Sequence, residues 1–307
     1  MGKRSRPSRK RGYGSTRDIL LFLVPGMGAY AFIMLYPNIA SIWYSLTEWS
    51  GYGRPQFIGL ENFARMIRDP VLPTTLGMAA RSLFLALAVT LPLAFVMAFL
   101  LSRKVRGRRV FRFFYFLPMV IPGTVLGVMW KNIFVYDGGV LNFGLGSIGL
   151  DGLVRGWLTE IGIVQWTVLV PGVWSGVCFY IIIFAAALEG IPQELYDAAS
   201  IDGANAWQEM IHVTLPSVRA VYVTAVILAL PGALSTFIYP FIMTRGGPVR
   251  KTYTLALWMF SKVYAVPGAS QVPQIGYGSA IAILHAGLGV GLSLLVWRFG
   301  RRDGTVG

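Results

Sequence analysis

The chain predicts an all-α polytopic membrane protein of six transmembrane helices with both termini on the cytoplasmic side. Three observations lead there. The composition is too apolar for a soluble globule: of 307 residues 55% are hydrophobic and 13% charged, with a mean hydropathy of +0.61. The apolar residues are gathered into uncharged blocks, each about the ~20 residues a helix needs to cross a bilayer. Basic residues collect at alternate ends of those blocks.

Taken in order, the chain opens with a basic arm, 1–18, carrying Lys3, Arg4, Arg6, Arg9, Lys10, Arg11 and Arg17. In a soluble protein such an arm binds nucleic acid. Beside long apolar blocks it is read as an orienting segment that touches anionic membrane lipid, and no nucleic-acid partner is expected. It does not read as a cleaved signal peptide, because the apolar block beside it is too long and no Ala-x-Ala-like site follows. Span one is expected at about 19–46, long enough to tilt. Span two, about 80–101, holds twelve Leu, Phe or Val residues between 83 and 101, with Thr90 as its polar residue. Those side chains favour insertion by about 4–7 kcal/mol at most. Span three, about 112–132, is the shortest block and contains Pro118, Pro122, Gly123 and Gly127. Spans four to six are expected at about 165–188, 218–241 and 275–298, followed by a tail, 299–307. The six-span unit therefore runs over 19–298, with a loop at 189–217.

Charge fixes the sidedness. The arm, the loop after span two (Arg103, Lys104, Arg106, Arg108, Arg109, Arg112), Arg219 and the tail (Arg298, Arg301, Arg302) together carry 17 Lys and Arg, against 10 across longer loops on the other side. By the positive-inside rule the richer side is cytoplasmic. The expected location is a prokaryotic cytoplasmic (inner) membrane, crossed many times.

Catalytic chemistry is not visible. Cys178 is alone, inside a span, and reads as a small packing residue. There is no Ser/His/Asp set, no Cys/His cluster and no phosphate-binding Gly-x-x-x-x-Gly-Lys-Ser/Thr loop. The chain reads as no enzyme, with no cofactor of its own; any ATP it depends on is held by another chain. His285, deep in span six, is read as a neutral imidazole bonded to a neighbouring helix. Gly287, Gly289 and Gly291 near it read as a close helix-packing face.

The loop at 189–217 departs from this apolar plan. Five of the chain's 13 acidic residues (Glu189, Glu194, Asp197, Asp202, Glu209) fall within 21 positions there. Pro192 is placed to occupy the first helical position, and Glu194 sits near the positive helix end. Ala198 and Ala199 leave one side bare for close approach, and Asp202-Gly203 breaks the helix. A second helix is expected to start at Asn205 as N-cap, with Gln208 completing a capping box. Trp207, Met210 and Ile211 give apolar cover, and Pro216 marks the start of span five. This is a helix–turn–helix projecting from the membrane, a shape suited to docking another protein.

Asp197-Ala-Ala-x-x-Asp-Gly-Ala204, closing at Leu215-Pro216, resembles the EAA loop of ABC importer permeases. The flanking Ile191-Pro-x-Glu-Leu-Tyr-x-Ala-Ala-x-Ile-Asp-Gly-Ala-x-x-Trp207 resembles the binding-protein-dependent carbohydrate-uptake branch, the MalF/UgpA-like group. Leu35-Tyr-Pro37, Ser45-Leu-Thr-Glu-Trp49, Phe57-Ile-Gly-Leu-Glu-Asn-Phe63, Arg112 with Phe116-Leu-Pro118, and Gly246-Gly-Pro248 extend the likeness over nearly all the chain after residue 18. Asp197 stands where the family usually has Glu, and Met210 where it usually has Phe.

The resemblance implies an ABC type I importer permease (MetI-like) fold. It implies a second homologous permease as heterodimer partner, two ATPase subunits that bind ATP and Mg, an extracytoplasmic solute-binding protein, and a carbohydrate substrate. It makes 189–217 the coupling loop, with Glu194, Asp197 and Asp202 as polar contacts to the ATPase. Ala198, Ala199, Gly203 and Ala204 would give the close fit and the turn. For the substrate path, sugars meet aromatic faces and a few hydrogen-bonding groups, so Trp130, Trp174, Tyr180, Phe237 and Tyr239 in spans three to five are the candidates. Pro118, Pro122, Pro231-Gly232 and Pro240 mark spans three and five as the flexible ones. The long, Gly-rich outer loops at 49–77 and 132–165 are candidate landing surfaces for the binding protein. An ion-coupled secondary carrier of sugars is the alternative. Intramembrane carboxylates are expected of that class, and every Asp and Glu here lies at a membrane edge or in a loop. A membrane-embedded enzyme would need clustered acidic or metal-binding residues, which the sequence lacks.

Overall fold

The computed structural model describes residues 16–103, 113, 117–264 and 272–302. Among them, five helices are long and apolar enough to cross a membrane: Ile19–Ser45, Val71–Ser102, Val164–Leu188, Arg219–Thr244 and Ile275–Gly300. They occupy the places of spans one, two, four, five and six. The expected third span, 112–132, lies partly outside the described residues, as does most of the basic arm and of the loop after span two. What is described of it is helical at 117–120, interrupted at 121–122, and helical again over Gly123–Phe134. The interruption is Pro122, which holds an extended conformation (φ −55°, ψ 138°) and disfavours helix at the residue before it. Gly123–Phe134 has 12 residues, a rise of about 18 Å against the ~30 Å of a bilayer core.

Among the described residues, three segments of wide, π-type turn interrupt the helices: Ala31–Leu35, Leu85–Thr90 and Met210–Thr214. Each ends two residues before a proline: Pro37, Pro92 and Pro216. The cause is common to all. A proline inside a helix lacks an N–H and its ring collides with the carbonyl four residues earlier, here Ile33, Ala88 and His212. Widening that turn carries the carbonyl out of the way without ending the helix. Span five is treated differently. With Pro231 inside it, the helix Arg219–Leu234 stops, leaves 235–237 irregular, and resumes as Ile238–Thr244.

Spans two and four pack along each other. Leu91, Ala94, Phe95, Ala98 and Phe99 meet Val177, Tyr180, Ile181, Phe184 and Leu188, all buried. Lipid tails are as apolar as leucine, so close van der Waals fit rather than burial from water holds such helices together. Ala94 and Ala98 permit it, and aromatic rings lock it. Phe95 meets Phe184 edge-on at 5.5 Å, and Tyr222 of span five stacks on Phe184 at 5.4 Å. Cys178 is buried in this layer, its thiol donating to the Trp174 carbonyl at 3.2 Å. Span one packs on span six through Tyr36–Ser45, while none of its apolar window is buried.

At the opposite end from the 189–217 loop, short elements tie the spans together. Thr47–Glu48 pairs antiparallel with Gln56–Phe57. The buried amide of Asn62 donates to the Ser45 and Thr47 carbonyls, each at 2.9 Å. The two motifs at 45–49 and 57–63 are thus halves of one device that turns the chain out of span one. Asn142 does the same for the 132–165 loop, donating to the Arg155 carbonyl at 3.0 Å and accepting from Trp157 Nε1 at 2.7 Å. Helix Leu255–Val263 lies on span six, where Tyr277 donates to Asp69 at 2.9 Å between Arg65 and Lys262, each over the tyrosine ring. Burial pushes the Lys262 ammonium below the usual lysine range; Asp69 opposes that shift and the charges of Arg65 and Arg250 add to it.

Candidate functional site

Two regions concentrate features that packing alone does not explain. The first is the 189–217 loop, which forms a two-helix knuckle. Gln193–Ile201 is capped by Pro192 (φ −58°, ψ 132°), so the proline expected at the first helical position stands one place earlier. Its extended ψ takes it out of the helix, and its missing N–H still leaves no orphan donor. The helix ends in a Schellman motif: Ala204 N–H donates to the Ala199 carbonyl at 2.9 Å and Gly203 N–H to that of Ser200 at 3.1 Å. Gly203 sits at φ +78°, open to a glycine and strained for any other residue. The second helix, Ala206–Glu209, carries the capping box expected of Asn205 and Gln208. The Asn205 side chain accepts from the Trp207 and Gln208 amides, each at 3.0 Å, and Gln208 Oε1 accepts from the Asn205 N–H at 2.8 Å.

Glu194, Asp197, Ala198, Asp202 and Gly203 are exposed, and Ala199 and Ala204 half-buried. Asp197 accepts from Gln193 Nε2 at 3.1 Å. No residue of Gln193–Ile201 is buried, and Ile201 is 87% and Trp207 62% exposed. Apolar side chains are thus left in solvent on a capped helix pair.

The second region is an open-sided cavity of about 720 Å³ lined by spans two, four and five. Span two contributes Ser82, Leu85, Ala86 and Thr90, the last three in its wide turn. Span four contributes Gly172, Ser175, Gly176 and Tyr180, and span five the irregular segment 235–237 with Ile238 and Tyr239. Non-helical backbone at membrane depth survives where it is covered by protein or lines a polar space, and this break faces the cavity. In its lining, the Tyr239 hydroxyl of span five lies 3.3 Å from the Ser175 hydroxyl of span four. Ser82 Oγ is buried with no hydrogen-bond partner.

Of the five aromatic candidates for the path, the structure brings Tyr180, Phe237 and Tyr239 to this cavity. Trp130 and Trp174 do not line it: they pack edge-to-face on each other at 5.6 Å, and Trp130 stacks on Phe134 at 5.3 Å. Sequence inspection missed Ser82, Ser175, Ser235 and Thr236. The signal was the run of small residues Gly172, Ser175 and Gly176 at helical spacing, which leaves one face of span four hollow. His285 Nε2 lies 3.3 Å from Ser235 Oγ of the neighbouring span, as expected of it. Gly287 and Gly291, by contrast, have open space where a Cβ would stand, so they pack closely against no helix among the described residues.

Comparison with known proteins identifies the family. Residues 90–302 match the family described as binding-protein-dependent transport system inner membrane component, and the chain belongs to that family. The diacetylchitobiose uptake system permease NgcF of Streptomyces coelicolor is 30% identical over 96% of this chain and 86% of its own length. The lactose transport system permease LacF of Rhizobium radiobacter is 30% identical over 90% and 93%. In fold, the chain is similar to one from a bacterial alginate ABC transporter solved in complex with alginate pentasaccharide-bound periplasmic protein. The TM-score is 0.80 at 21% identity, covering 95% of this chain and 97% of that one.

Proposed function

We propose that this member of the family is one of two transmembrane permease subunits of an ATP-driven, solute-binding-protein-dependent sugar importer, its knuckle seated on a separate ATPase. One geometric observation carries the reading. The knuckle lies on the stretch of chain that joins spans four and five, and those spans form two of the three walls of the intramembrane cavity. A displacement applied to the knuckle therefore moves the cavity wall directly.

The parts then take these roles. Glu194, Asp197 and Asp202 present carboxylates to the ATPase, while Ala198, Ala199, Gly203 and Ala204 allow close approach. ATP and magnesium are bound by that ATPase. The knuckle faces the cytoplasm, and the opposite loops receive the binding protein. Span one offers its unburied face to the second permease. In the cavity, the Ser82, Ser175, Ser235 and Thr236 hydroxyls suit sugar hydroxyls, and Tyr180, Phe237 and Tyr239 offer aromatic faces to sugar C–H groups. The names of NgcF and LacF support a carbohydrate substrate. Coupling needs an element with two arrangements biased differently by nucleotide and by the loaded binding protein, and the break at 235–237 is such a hinge.

The test is reconstitution of the chain in proteoliposomes with a second permease, an ATPase and a binding protein, measuring ATP-dependent uptake of the sugar that the binding protein carries. Ser200→Cys, probed with a membrane-impermeant maleimide against the buried Cys178, reports sidedness. Labelling from the outside of intact cells, or uphill accumulation by this chain alone, would overturn the proposal.

A further inference from the structure

Glu209 is the acidic residue of the 189–217 loop that is buried, 8% exposed, while Glu189, Glu194, Asp197 and Asp202 are in solvent. Its carboxylate is paired with Arg103, the residue directly after the last turn of span two. The Arg103 guanidinium also lies over the Phe99 ring, 4.9 Å from its centre, and Phe99 is buried where spans two and four pack. On the other side, the Glu209 backbone carbonyl accepts from the Thr214 hydroxyl at 3.2 Å, and that hydroxyl is 3.1 Å from the Tyr196 hydroxyl of the first knuckle helix. A continuous series of contacts thus runs from Gln193–Ile201 through Thr214, Glu209 and Arg103 to span two.

Span two forms the third wall of the cavity, yet the knuckle connects through the chain only to spans four and five. On the reading that the knuckle receives the ATPase stroke, we infer that the Arg103–Glu209 pair carries that stroke to span two, so that all three walls move as one. The pair suits a rigid tie. Separating it would leave a buried carboxylate without its partner, the most unfavourable outcome for such a group. The arginine cannot lose its charge to relieve that. The wide turn at Leu85–Thr90, already released from regular helix, is where span two yields at the cavity.

The experiment uses the full transporter with its second permease, ATPase subunits and binding protein in proteoliposomes. Arg103→Gln and Glu209→Gln are compared with the exchanged pair Arg103→Glu/Glu209→Arg. Two readouts are taken: ATPase co-purified per permease, and sugar taken up per ATP hydrolysed. Each single variant is expected to keep its ATPase and to lose about tenfold in uptake per ATP, within the usual range of coupling between sites. The exchanged pair is expected to recover most of that loss, which a merely packed contact would not do. Wild-type uptake per ATP in Glu209→Gln overturns the inference. So does loss of bound ATPase in the single variants, which would make the pair a strut of the knuckle, and so does an exchanged pair that binds ATPase yet stays uncoupled. Failure of the coupling reading itself shows elsewhere, as normal ATPase binding by Gly203→Arg.

Discussion

The knuckle and the cavity are built by opposite means. The knuckle is made of neighbours: Pro192, the Schellman turn at Gly203 and the Asn205–Gln208 box lie within 17 residues, and the bonds that cap and turn its two helices are local. The cavity is made of strangers, with Ser82, Ser175 and Tyr239 drawn from spans far apart in the chain. A locally determined element keeps its shape while it is pushed; a wall assembled from separate helices has a shape that a push can change. Under the proposed function, that contrast suits a force-transmitting part and a moving path.

The sharpest way to break it is Gly203→Arg. The substitution places a bulky charge at the tip and forces a side chain into φ +78°. Membrane insertion is expected to stay intact and ATPase co-purification to be abolished. Tyr239→Ala addresses the other region: uptake is expected to fall about two- to tenfold, what an aromatic contact of 0.5–1.5 kcal/mol is worth, with ATPase binding unchanged. A loss of ATPase binding there would erase the separation of roles. Gly203→Ala sharpens the first result. The space around Gly203 is open, so only backbone strain of about 1–2 kcal/mol is added, and hydrogen exchange at the Ala204 amide should quicken while docking persists. Asn205→Ala should have the smallest effect, costing about 1 kcal/mol of local stability. It is read as faster exchange of the Trp207 and Gln208 amides without change in sugar uptake.

Legibility followed the same division. The cap at Asn205 and the break at Gly203 were readable because a side chain and the backbone groups it serves are two or three residues apart. The spans were readable because bilayer thickness imposes a length on any apolar helix. The prolines singled out in spans three and five do stand near breaks in the helices, at 121–122 and at 235–237. Pro37, Pro92 and Pro216 gave no such sign: whether a proline ends, bends or widens a helix depends on what packs around the freed carbonyl. The aromatic candidates split for a related reason. Trp130 and Tyr239 look alike in a hydrophobic run, and only the neighbours met in the fold make one a packing ring and the other part of a cavity wall.

Sequence by itself determined the apolar spans, the charge bias of the loops, the two-helix knuckle and the family, because each rests on interactions within a few residues or on the solvent each segment must suit. Only the tertiary structure decided which faces of spans two, four and five line a common space, and that Arg103 reaches Glu209 across 106 positions of chain. Such contacts are selected by the joint packing of whole helices, and no local pattern along the chain encodes them.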